Sequence, residues 1–73
     1  MYKRQNYKDA ISCLEEANKL EPTVASRYFN LSFANNEEGN RKEALDSARK
    51  AIRLDPQNPK YKNWFNELRS RPF

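Results

Sequence analysis

The chain has no histidine, one cysteine and one glycine in 73 residues. Each shortage excludes something. Without histidine, the usual general base and the commonest transition-metal ligand are missing. A single thiol, Cys13, rules out an internal disulfide and a cysteine-based zinc site. A single glycine, Gly39, leaves no glycine-rich phosphate loop and argues against a hairpin-rich fold. No apolar run approaches the roughly 20 residues of a membrane span. The opening MYKRQNYK has basic residues but no apolar stretch behind them, so no signal peptide is expected and the expected location is cytoplasmic. The acid pairs Glu15-Glu16 and Glu37-Glu38 are adjacent, so on helices they point to different faces and cannot flank a substrate together. The expectation is a protein that is not an enzyme, with no catalytic residues, no metal and no cofactor.

What is present is a helical composition. Alanine, leucine, glutamate, lysine and arginine are plentiful and suit helices. With 37% hydrophobic and 33% charged residues, a single small domain has a thin core and wide solvated faces. The formal charge of +4 is mild. Arg41, Lys42, Arg49, Lys50 and Arg53 share their segment with Glu43, Asp46 and Asp55, which reads as a solvated helix face rather than a basic stripe. Nucleic acid is therefore a disfavoured partner. An RNA- or anion-binding alternative would use the basic residues, with Tyr61 and Trp64 as stacking surfaces, and would show steep salt dependence.

The decisive pattern is internal. Pro22 and Pro56 stand 34 positions apart. At the same offset Ala10 meets Ala44, Ile11 meets Leu45, Ala17 meets Ala51 and Leu20 meets Leu54. Asn6, Asp9, Lys19 and Glu21 meet Asn40, Glu43, Arg53 and Asp55. Chance gives one or two such matches, so this is a repeat. Within each unit the apolar residues fall at helical spacing: Tyr7, Ala10, Ile11, Leu14, Ala17 and Leu20, then Ala44, Leu45, Ala48, Ala51, Ile52 and Leu54. The alanines allow a neighbouring helix to come close.

Punctuation fixes the boundaries. Asn40 with Glu43 reads as a capping box, and Asn6 with Asp9 as a weaker one. Pro22 and Pro56 stop the helices before them. Asn58-Pro59 starts another. Gly39 suits a left-handed turn. Four helices are predicted, at about 6–20, 24–37, 41–54 and 59–69. The second carries a broad apolar face (Val24, Ala25, Tyr28, Phe29, Leu31, Phe33, Ala34), and the fourth a narrow one (Tyr61, Trp64, Phe65, Leu68). The fold class is all-α, with antiparallel helix-turn-helix repeats forming an α-solenoid fragment.

These residues resemble the tetratricopeptide repeat, a 34-residue helix-turn-helix unit. The resemblance rests on Tyr28-Phe29-Asn30-Leu31, Gly39-Asn40, Glu43-Ala44-Leu45 and Lys50 to Pro56. It implies one domain over 1–73: a partial repeat at 1–24 (the second helix of a preceding unit), a full repeat at 25–58 and a capping helix at 59–73. Ser32 stands where the family favours glycine, and Asn35 where it favours an aromatic. The helix at 6–20 lacks its usual partner, which implies an array cut short at Met1, a repacked helix, or pairing with a second copy as a homodimer.

The resemblance also implies a scaffold or adaptor that binds a protein or peptide along a groove lined by the 24–37 and 59–69 helices. The implied contact residues are Phe29, Asn30, Phe33, Asn36, Lys60, Asn63 and Trp64, with Ser26, Glu37 and Glu67 beside them. Phe29 and Phe33, four apart, share a face and serve either packing or ligand contact. Trp64 is either a binding aromatic or part of the closing lid. Chaperone-adaptor members use an Asn and a Lys, at places matching Asn30 and Lys60, to clamp a peptide's terminal carboxylate. Trp64 replaces an expected arginine of that clamp, so a complete clamp is not expected. Cys13, among apolar positions, is expected to be buried and inert.

Overall fold

The computed structural model describes the backbone of residues 4–70 and the side chains of residues 7–70. It contains four helices: α1 (Arg4–Leu20), α2 (Ala25–Glu37), α3 (Arg41–Leu54) and α4 (Pro59–Ser70). Each packs on its neighbours in sequence, and the connections of three or four residues reverse the chain each time. The described residues contain no strand. The chain is an all-α repeat fragment.

The turns explain the boundaries. Between α2 and α3, Gly39 has φ +84°. The Asn40 N–H donates to the Asn35 carbonyl at 2.8 Å and the Gly39 N–H to the Asn36 carbonyl at 3.1 Å. This paired closure satisfies the last carbonyls of α2, and glycine allows it because it has no Cβ to clash. The 34-residue offset recurs at two other helix ends. Glu21 N–H bonds the Ala17 carbonyl at 2.9 Å, and Asp55 N–H bonds the Ala51 carbonyl at 3.0 Å. Ahead of α4, the Asn58 side-chain oxygen accepts from the Lys60 N–H at 2.9 Å, and Pro59 opens the helix.

One expected cap does not form. Asn40 makes no side-chain cap bond. Its Nδ2 donates instead to Asn35 Oδ1 at 3.1 Å. Asn35 is buried, and its amide needs a partner more than the exposed start of α3 does. The Asn6 side chain of the other expected box lies outside the described residues.

The core is thin, as composition requires. Its buried apolar residues are Leu31, Ala34, Ala44, Ala48, Ala51, Tyr61 and Leu68. Ala44, Ala48 and Leu68 form its centre, with Leu45, Trp64 and Phe65 packed against it. Alanines let α2 and α4 approach α3 closely. Two arginines fasten helix ends to other helices. Arg27 of α2 donates to the Ala17 carbonyl of α1 at 3.2 Å and pairs with Glu21 at 3.3 Å. Arg41 of α3 donates to the Leu68 and Arg69 carbonyls of α4 at 3.1 and 3.2 Å. Both place positive charge where a helix C-terminus is negative and its carbonyls lack partners.

The first helix is less covered. Ala44, Ala48 and Ala51 of α3 are buried, whereas their counterparts Ala10, Leu14 and Ala17 are half-exposed. Leu20 is 86% exposed. Cys13 corrects an expectation: it is exposed, not buried. Its counterpart Ser47 is buried in the cleft that α1 and α2 make with α3. Among the described residues α1 packs on α2, and Cys13 lies on a side of α1 that no described helix covers, so the thiol meets solvent.

Candidate functional site

The face shared by α2 and α4 carries a band of aromatic rings. Phe29 lies 5.4 Å from Tyr61 and 6.0 Å from Trp64, centroid to centroid. Phe33 lies 5.8 Å from Trp64 and 6.4 Å from Tyr7 of α1. The pairs are tilted or edge-on, the arrangements that bring a positive ring edge to a negative ring face. Phe29 and Phe33 thus meet through Trp64, which stands between them. Helical spacing puts them on one side of α2, and α4 supplies the ring that joins them.

Beside this band is an open groove of about 490 Å³, lined by Phe29, Pro59, Lys60, Asn63, Trp64 and Glu67. The Lys60 ammonium sits 4.9 Å from the centre of the Phe29 ring. Such a contact contributes roughly 0.5–1 kcal/mol at an exposed site. It also holds the cation at the groove wall. The groove therefore offers a positive charge, a primary amide, a carboxylate and two aromatic walls. That combination suits a ligand with an apolar group next to an anionic one.

Of the residues the sequence singles out, the structure brings Phe29, Lys60, Asn63 and Trp64 together, with Glu67 at the rim. Phe33 is 42% exposed and flanks the groove through its contact with Trp64. Asn30 and Asn36 lie on α2 outside the groove lining, Asn30 exposed and Asn36 half-buried. Ser26 and Glu37 are exposed at the two ends of α2. The sequence places Tyr7 only on an apolar face, and singles out Tyr61 beyond its apolar face only as a stacking surface for RNA; neither is foreseen as a member of this aromatic band.

Residues 25–58 match the family model of the tetratricopeptide repeat. This stretch is a tetratricopeptide repeat. Comparison with curated proteins gives no match. Inside the repeat, the two departures from the family pattern both acquire partners. Ser32 is fully buried; its Oγ donates to the Ala44 carbonyl at 2.6 Å and accepts from Trp64 Nε1 at 2.7 Å. Asn35 donates from Nδ2 to the Leu31 carbonyl at 3.0 Å and accepts from Asn40 at its Oδ1. Ser32 thus ties α2 to α3 and to the indole that forms the groove wall. The repeat is a protein-interaction element in general, and one of its departures, Ser32, holds the Trp64 wall of this groove.

Proposed function

We propose that the chain is a non-enzymatic adaptor module that holds a peptide segment of a partner protein in the α2–α4 groove. In this reading α1 is the second helix of a preceding repeat, and α4 is the closing helix. One observation carries the reading: the Lys60 ammonium, held over Phe29, faces an open groove walled by Trp64 and edged by Asn63. An acidic side chain or terminal carboxylate would take charge-assisted bonds from Lys60 and Asn63. An adjoining apolar side chain would cover Phe29 and Trp64. With Trp64 in the groove wall, anchoring differs from a complete carboxylate clamp.

The test is an amide NMR titration of the labelled chain with a short acidic peptide ending in a free carboxylate. Shifts clustered at Phe29, Lys60, Asn63 and Trp64 are expected, and Lys60→Ala should weaken them severalfold. No shifts at those residues would reject the groove.

A second reading rests on a different observation. The inner stripe of α1 is half-exposed where the equivalent stripe of α3 is buried. In that reading α1 docks on another helix, within a longer array or from a second copy. It predicts concentration-dependent broadening along residues 7–20 without any peptide.

A further inference from the structure

Apart from the α2–α4 groove, residues of α1, α2 and α3 line a cleft of about 300 Å³. Its floor includes Asn18, Leu31, Asn35 and Ser47, and its rim carries Glu15, Glu43 and Asp46. It shares no residue with the α2–α4 groove.

Asn18 is anomalous. It is 8% exposed, and neither its Oδ1 nor its Nδ2 has a hydrogen-bond partner. A buried amide with both atoms unsatisfied is destabilising. The fold does not require it. The residue 34 positions on, in the complete repeat, is Ile52. An aliphatic side chain therefore serves at this position of the repeated unit. Where a sequence breaks a local rule that its own second copy obeys, the gain is to be sought in binding.

The charge around the cleft says what would bind. Its two cations are engaged: Lys19 pairs with Glu16 at 3.6 Å, and Lys50 lies 5.7 Å from the centre of the Tyr28 ring. Glu15, Glu43 and Asp46 form no ion pair among the described residues. Three carboxylates outnumber two cations in the cleft lining, so its net charge is negative, while the buried amide offers an acceptor oxygen and two N–H donors. An arginine residue in a peptide satisfies both. Its guanidinium presents N–H donors to carboxylates, and its main-chain amide complements the side-chain amide of asparagine.

We infer that this cleft is a second recognition site, and that its occupant is an arginine-bearing segment of a partner protein. Both Asn18 amide atoms are closed to solvent, so the segment enters by parting the side chains above them. The site is independent of the α2–α4 groove and stands or falls separately.

The experiment is an NMR titration of the labelled full chain with acetyl-Gly-Arg-Gly-amide, with acetyl-Gly-Glu-Gly-amide as control. The arginine peptide should move the Asn18 side-chain amide signals and the backbone signals of residues 15–19 and 43–50. Lys60 and Asn63 should stay still. Asn18→Leu should melt at a higher temperature than the parent and bind the peptide roughly tenfold more weakly. The pair Glu43→Gln and Asp46→Asn, which leaves Asn18 in place, should weaken binding to a similar degree. Equal shifts from both peptides, or none at Asn18, would overturn the inference. So would an Asn18→Leu chain that melts lower or binds unchanged.

Discussion

Ser32 offers the sharpest test of how this fold is held together. Its hydroxyl is buried and joins three helices: it sits on α2, donates to the Ala44 carbonyl of α3 and accepts from the Trp64 indole of α4. Ser32→Ala removes both bonds without opening a large cavity. A net contribution near 1 kcal/mol per bond gives a loss of about 1–2 kcal/mol. A chain of this size has on the order of 4–11 kcal/mol of stability in total. The loss should lower the melting temperature by roughly 4–16 °C. With a urea slope near 1 kcal/mol per molar, the midpoint should fall by about 1–2 M. Trp64→Phe removes the indole N–H from the other side and keeps most of the ring. The double mutant should then be more stable than the sum of the single losses predicts, with a coupling of about 0.5–1.5 kcal/mol. Far-UV circular dichroism reads all four chains alike, since Trp64 is the single tryptophan and its fluorescence is lost in two of them. Strict additivity would refute the Ser32–Trp64 bond. A Ser32→Ala chain as stable as the parent would refute the larger claim that this hydroxyl joins the helices.

Two further outcomes test the turns and the uncovered helix. At Gly39 an added Cβ would meet nothing within 4 Å, so Gly39→Ala carries only the backbone cost of φ +84°. That is about 1–2 kcal/mol in thermal unfolding, and Gly39→Asn should recover part of it; a neutral Gly39→Ala would reject the left-handed turn. Cys13 should react with iodoacetamide in the folded chain at the rate of an ordinary exposed thiol. Protection lifted only by denaturant would show that α1 is covered in solution.

What the sequence makes legible here is what is local. Gly39, Asn58-Pro59 and the two Glu/Asp-Pro stops act on residues within a turn of themselves, so helix ends fall within two residues of expectation. The 34-residue offset predicts equivalent bonds at Glu21 and Asp55, because the same neighbours surround both. The misreadings come from burial and packing, which spacing alone does not give. Asn40 looks like a helix cap until Asn35, buried five residues earlier, takes its amide. Cys13 looks internal by spacing, yet spacing gives a direction around the helix and not whether anything stands there. The groove shows the same division. Phe29, Lys60, Asn63 and Trp64 carry recognisable chemistry, whereas the Ser32–Trp64 bond spans 32 residues and leaves no local trace. Asn18 is legible only by comparison with Ile52.

The fastening of α4 has a kinetic consequence. The α2–α3 pair closes across a three-residue turn, so it can form early in folding. In contrast, α4 is held by long-range ties, Arg41 to its last carbonyls and Ser32 to its indole. Those ties close after the α2–α3 turn, so α4 should dock on α2 late and undock from it while the α2–α3 pair persists. Such undocking would remove Lys60, Asn63 and Trp64 from the groove together and leave Phe29 behind on an intact hairpin. The groove would then exist as a population rather than a fixed surface. A ligand filling it would slow amide exchange throughout α4, far beyond the residues it touches.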